Sequence, residues 1–171
     1  MKKGLALLSL ALLLPGCWGP VKEIGVSSSV GKELTQEQRF TLKNISDETV
    51  MLDQVLAQNK AVLVDFWATW CGYCVEEMPA LIKLHQKNKD RGFTVLAVNV
   101  GDSKQQAAAF AKRMNIPFPI LLDEDSHVAA SYNVVGIPTS YLLSPKGAVL
   151  GEYHTYSRRM EDDVENALNK E

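Results

Sequence analysis

The sequence predicts an α/β fold: a mixed central β-sheet flanked by helices. Two runs, Ala61–Trp67 and Phe93–Val100, are almost continuously apolar, as strands are when both faces of a sheet are covered. Each is followed by a stretch whose apolar residues recur at helical spacing. Near the C-terminus, Thr139–Leu143 and Ala148–Tyr153 flank Ser144-Pro145-Lys146-Gly147, an antiparallel pair around a type I turn. The resulting order is β-β-α-β-α-β-α-β-α-β-β-α, with layers on both faces of the sheet.

The elements follow from the N-terminus. Lys2 and Lys3 precede an apolar run from Leu5 to Leu14, too short to cross a bilayer core of ~30 Å. It reads as the hydrophobic region of an export signal. Leu14-Pro15-Gly16-Cys17 resembles the lipobox of bacterial lipoproteins, which implies a diacylated Cys17 as the mature N-terminus. An uncleaved or ordinarily cleaved signal is the other reading. Residues 17–37 contain Ser27-Ser28-Ser29, Gly25 and Gly31 and few apolar side chains, as a flexible tether does. The folded domain is expected over 38–171, with 1–16 as signal peptide.

Phe40-Thr41-Leu42 and Thr49-Val50-Met51 predict an N-terminal β-hairpin around Asn44–Glu48. Asp53 is expected to cap a short helix running to Asn59. From Cys71 to Asn88, Met78, Leu81, Ile82 and Leu84 mark a helix that Pro79 should kink. Gln105–Met114 predicts an amphipathic helix, Pro117 and Pro119 lead into a short strand ending at Leu122, and Ser126 or Asp125 is expected to cap a helix to Tyr132. Arg158–Asn169 closes the chain as a helix. Composition is that of an ordinary globular domain, 46% hydrophobic and 22% charged. A formal net charge of −2 with no basic stripe gives no case for nucleic acid.

The chemistry lies in Trp70-Cys71-Gly72-Tyr73-Cys74, where a strand stops at Cys-x-x-Cys and a helix begins. Cys71 would sit at the helix N-terminus, where unpaired N–H groups and the macrodipole favour a thiolate. Cys74 lies one turn on, within reach of a disulfide. A structural disulfide or half a zinc site are the bland readings. Zinc needs about four ligands, and His85, His127 and His154 are scattered rather than spaced as a partner half-site. Lipidation of Cys17 would leave Cys71 and Cys74 as the only thiols. Without Lys2 and Lys3, the 18 basic residues fall to 16 against 20 acidic ones, a formal −4, so acyl chains rather than anionic lipid head groups must hold the domain at a membrane.

Val62–Cys74, followed by Glu77-Met78-Pro79, resembles the active-site segment of the thioredoxin superfamily, more narrowly that of the TlpA/ResA-like membrane-tethered oxidoreductases. The likeness extends through Pro117-Phe118-Pro119, Gly136-Ile137-Pro138-Thr139 and the final hairpin. It implies a thioredoxin-like fold with a βα insertion, Cys71 as nucleophile and Cys74 as resolving thiol. Asp65 matches the buried acid of thioredoxins, which would take the Cys74 proton; a solvated, edge-facing aspartate is the alternative. Glu77 matches an acid near the dithiol in ResA-like proteins, or is a solvated helix-surface glutamate. Ile137-Pro138 resembles the cis-proline loop, with Ile137 offering backbone to an extended substrate. Trp70, Gly72 and Tyr73 would belong to the same docking surface, and Trp67 to the core. Two departures bear on redox potential: Gly72-Tyr73 lacks the usual proline, and Ala97 stands where thioredoxins keep a buried lysine.

The function expected is that of an exported, lipid-anchored monomer reducing disulfides in extracytoplasmic proteins, as in cytochrome c maturation. The redox-active disulfide serves without metal or other cofactor, and a membrane thiol relay of the DsbD or CcdA type supplies electrons. An oxidase or isomerase of the same fold is the alternative, although no dimerisation domain or inserted helical domain is evident. A Cu(I) metallochaperone is a further one, disfavoured by the two-residue spacing. A peroxidase would need a Thr or Ser and an Arg in a different arrangement.

Overall fold

The continuous apolar runs become the interior strands. The computed structural model describes residues 29–170; the signal run Leu5–Leu14 and Cys17 lie outside them. In chain order the elements are β1 (Thr41–Lys43), β2 (Thr49–Met51), α1 (Leu52–Gln58), β3 (Ala61–Trp67), α2 (Gly72–Asn88), β4 (Phe93–Val100), α3 (Lys104–Met114), β5 (Ile120–Asp123), α4 (His127–Ser131), β6 (Thr139–Leu143), β7 (Val149–Tyr153) and α5 (Arg158–Asn169). The main sheet has the order β5-β4-β3-β6-β7. In it β3, β4 and β5 are parallel, and β6 and β7 are antiparallel to their neighbours. The β1–β2 hairpin stands apart, tied to the sheet edge by Ile45 N–H donating to the Ile120 carbonyl at 3.1 Å.

Parity along β3 sorts the two cores. Ala61, Leu63 and Trp67 pack with Met78 and Leu81 of α2, Phe110 of α3 and Met160 of α5. Val62, Val64 and Phe66 pack with Leu52 and Leu56 of α1 and with Tyr132. Each of these large side chains contributes roughly 1.5–3 kcal/mol on burial. A one-residue slip would exchange the two sets, so the register is strongly fixed. Asp65 therefore belongs, with Trp67, to the face that α2 covers. Pro79 lies inside α2, which continues as one element to Asn88.

Three local expectations are corrected. The expected tether includes residues that pair with the sheet: Gly31 N–H donates to the Val149 carbonyl, Leu34 N–H to the Gly147 carbonyl, and Leu34 is buried. Gly147 accommodates this strap in a left-handed conformation (φ +83°), where a Cβ would stand 2.8 Å from the Arg39 guanidinium. Asp53 does not cap α1. The N-cap position is Met51, and the first-turn Leu52 N–H instead donates to the Phe40 carbonyl at 3.1 Å. Ser126 occupies the N-cap of α4 without a side-chain cap bond, and Asp125 accepts only from His127 N–H at 3.3 Å. Asp123, at the end of β5, does the capping, accepting from Val128 N–H at 3.1 Å and Ala129 N–H at 2.9 Å.

Candidate active site

β3 ends at Trp67, and the chain turns through residues 68–71, closed by Cys71 N–H donating to the Ala68 carbonyl at 3.2 Å. Cys71 is the N-cap of α2, and its Sγ accepts from Cys74 N–H at 3.2 Å. An N-terminal amide aimed at sulfur is the arrangement that stabilises a thiolate. Cys71 and Cys74 form a disulfide with their Cα atoms 5.3 Å apart. Cys71 is 7% exposed and Cys74 1%, so Cys71 presents the accessible sulfur. The Ile137–Pro138 peptide bond is cis, and the Ile137 carbonyl oxygen lies 3.6 Å from Cys71 Sγ.

Around the disulfide the surface is apolar although solvent is free to reach it. Trp70 is 68% and Tyr73 77% exposed, and Val135 lies fully exposed on the opposite side. Between them a groove of about 440 Å³ is lined by Trp70, Val100, Ala129, Val134 and Ile137 among others. A Cβ added at Gly72 would meet nothing within 4 Å, leaving that side of the dithiol open. Trp67 is wholly buried against Phe110, ring centroids 4.9 Å apart, as expected of a core residue.

Two carboxyl groups, Asp65 on β3 and Glu77 on α2, are buried close enough for the charge of one to act on the other. Asp65 is wholly buried, which removes the solvated alternative. Ser140 Oγ donates to Asp65 Oδ1 at 2.7 Å, while Oδ2 has no hydrogen-bond partner. Burial, and then the charge of Glu77, push the Asp65 carboxyl up to about 7, against the opposing bond from Ser140. Glu77 is also buried; its Oε2 accepts from Tyr156 N–H at 2.8 Å, and Oε1 has no partner. Burial raises its pKa as well. Across the strand pair, Asp65 stands in register with the wholly buried Ala97, so no cation on β4 offsets its charge.

The three histidines do not converge on one site. His127 and His154 are exposed, and His85 is buried against Phe93 and Phe118, its pKa lowered by burial. Among the described residues no three His, Cys, Asp or Glu side chains converge as metal ligands. Ser140 and Asp102 were not singled out from the sequence. Each carries a usable signal: a hydroxyl within the apolar run Thr139–Leu143, and an acid just after a buried strand.

A cysteine pair at a helix N-terminus, one sulfur reachable and the other behind it, exchanges its disulfide with an incoming thiol or disulfide. On a thioredoxin-like sheet this defines the class: the protein is a thiol-disulfide oxidoreductase. The chain belongs to the AhpC/TSA family, whose model matches residues 31–151, and within it to the ResA-like members of the thioredoxin superfamily. It is 40% identical over 131 residues to the thioredoxin-like protein YneN of Bacillus subtilis, covering 75% of this chain and 72% of that one. It is 34% identical over 124 residues to the thiol-disulfide oxidoreductase ResA of the same organism, covering 70% and 68%. The thioredoxin domain of a thiol-disulfide oxidoreductase from Bacteroides vulgatus superposes with a TM-score of 0.73 at 26% identity, over 84% of this chain and all of that one.

Proposed function

We propose that this protein is an exported, lipid-anchored reductase of disulfides in extracytoplasmic proteins, apocytochrome c among the candidates. The observation that carries the reading is the buried, uncompensated Asp65 carboxyl on the face of β3 that α2 covers. In the reduced protein the Cys71 thiolate attacks a substrate disulfide, forming a mixed disulfide and expelling one substrate thiolate. Cys74 then loses its proton to Asp65, with Glu77 as the alternative acceptor. The Cys74 thiolate attacks Cys71 Sγ, releasing the second substrate thiolate and leaving the Cys71–Cys74 disulfide. An acid held near pKa 7 suits this transfer, because it is basic enough to take the proton and acidic enough to release it.

Substrate lies against the cis-proline loop. The Ile137 backbone pairs with an extended segment, and Trp70, Tyr73 and the neighbouring apolar groove receive the side chains that flank its cysteine. Export follows from the signal in residues 1–16 and anchoring from Cys17. Disulfides form by default outside the cytoplasm, so electrons come from a membrane thiol relay of the DsbD or CcdA kind. The protein works as a monomer, with its own disulfide as the redox group. Reduction of insulin by the Cys71–Cys74 dithiol tests the reading: turnover above a Cys71→Ser control is expected, and none would overturn it. An oxidase or isomerase of the same fold is the second reading, supported by Gly72-Tyr73, an inner pair that some disulfide isomerases share.

A further inference from the structure

We propose that Asp102 is a positioning residue for the reacting thiol, fixing the turn that delivers Cys71 to the N-terminus of α2. Asp102 is 3% exposed and follows β4 in the connection to α3. Its carboxyl accepts three hydrogen bonds, and two come from one residue of the active-site turn. Thr69 N–H donates to Oδ2 at 2.7 Å, and the Thr69 hydroxyl donates to Oδ1 at 2.9 Å. The third comes from the buried Asn99 Nδ2, which donates to Oδ2 at 2.8 Å. A residue held at both amide and hydroxyl keeps neither backbone nor side-chain freedom, and Thr69 stands two positions before Cys71.

Asp102 is itself a fixed point. On one side Gly101 N–H donates to the Asp123 carbonyl at 3.1 Å. On the other, Ser103 caps α3 in a reciprocal box with Gln106. The clamp therefore ties the 68–71 turn to β4, β5 and α3 together. The distances it protects are short and directional: Cys74 N–H to Cys71 Sγ at 3.2 Å, and the Ile137 oxygen 3.6 Å from the same sulfur. A sulfur that drifts from the α2 amides loses the hydrogen bond and dipole that favour its thiolate, because such stabilisation falls off within the first turn.

Charge and position make opposite demands, which allows a decisive test. Removing a negative charge near a thiol lowers its pKa, whereas loosening its turn raises it. Asparagine at 102 keeps the clamp. Its Oδ1 can accept from Thr69 N–H and Asn99, and its amide can donate to the Thr69 hydroxyl. The measurement is the pH profile of Cys71 alkylation by iodoacetamide in the reduced, full-length protein, with melting temperature recorded alongside. For Asp102→Ala the midpoint is expected to rise by about one pH unit, slowing alkylation roughly tenfold at pH values well below the midpoint. Asp102→Asn, which keeps the clamp and loses the charge, is expected to hold its midpoint at or slightly below wild type, and Thr69→Val, which loses one of the three bonds and keeps the charge, to fall between wild type and Asp102→Ala.

If Asp102→Ala fails to fold, Thr69→Val and Asp102→Asn carry the test through the same order of effects. An unchanged profile in folded Asp102→Ala, or in Thr69→Val where alanine does not fold, overturns the proposal. So does an equal downward shift in both Asp102 variants. The inference rests on Cys71 being the attacking thiol, and the same alkylation reports that separately. Labelling of Cys74 in place of Cys71 in the wild type would be a failure of the proposed mechanism, not of the clamp alone.

Discussion

Replacing Asp65 with asparagine is expected to strengthen the fold in alkali while slowing catalysis. The unfolded chain releases the Asp65 proton near 3.8, and the folded protein holds it to about 7. Below the lower value both states are protonated and the site costs nothing. As pH rises through the window, ionisation favours the unfolded chain, and above the upper value the whole penalty is present. A displacement of roughly three pH units corresponds to roughly 4 kcal/mol, of which roughly 3 develops between pH 5 and 9. Asparagine keeps the Ser140 bond to Oδ1, and the fixed effect of its amide nitrogen at the unpartnered Oδ2 position is the same at every pH. It therefore cancels when two pH values are compared. Urea denaturation of oxidised wild type and Asp65→Asn at pH 5 and pH 9 gives the difference directly. The advantage of the variant is expected to grow by roughly 3 kcal/mol over that interval, while reductase turnover at pH 7 falls by roughly a hundredfold. Parallel stability profiles, differing by less than about 1 kcal/mol across the interval, would refute the reasoning.

Other perturbations separate the parts of the site. Ser140→Ala removes the bond that opposes Asp65's upward shift, so its titration midpoint moves higher; Glu77→Gln removes the second-largest cause and moves it lower, both read by carboxyl-resolved NMR titration. Trp70→Ala is expected to raise KM for a protein disulfide roughly fivefold, a loss of about 1 kcal/mol, with stability within ~0.5 kcal/mol of wild type, because the side chain is largely exposed. Leu34→Ala is expected to cost about 2 kcal/mol in urea denaturation, where a true tether residue would cost nothing. Cys74→Ala retains the nucleophile without its resolving partner, so mixed disulfides to Cys71 are expected to accumulate and to be recovered after acid quenching.

The strands and helices that set the sheet were legible because their signals are strong and local. Ala61–Trp67 and Phe93–Val100 are buried on both faces, so their boundaries coincide with the apolar runs themselves. The dithiol was legible because strand end, Cys-x-x-Cys and helix start lie within a few residues. What escaped was what depends on distant chain. The α1 start is satisfied by the Phe40 carbonyl and the α4 start by Asp123, so Asp53 caps nothing and Ser126 holds the N-cap position without a side-chain bond. The strap at residues 31–34 carries one buried apolar side chain, too little to distinguish a pairing segment from a tether. Ser140 reaches Asp65 across an antiparallel strand pair, and Asp102 reaches Thr69 across a crossover. No local pattern encodes either contact.

The direction of electron flow is the point on which the reductase reading stands. Equilibrating the Cys71–Cys74 pair against a glutathione couple at pH 7, and quantifying reduced and oxidised protein after acid trapping, gives its reduction potential. A reductant is expected to lie well below about −200 mV, toward the value near −270 mV of thioredoxin. A potential at or above about −180 mV, the range of protein disulfide isomerase and of oxidases, would contradict it.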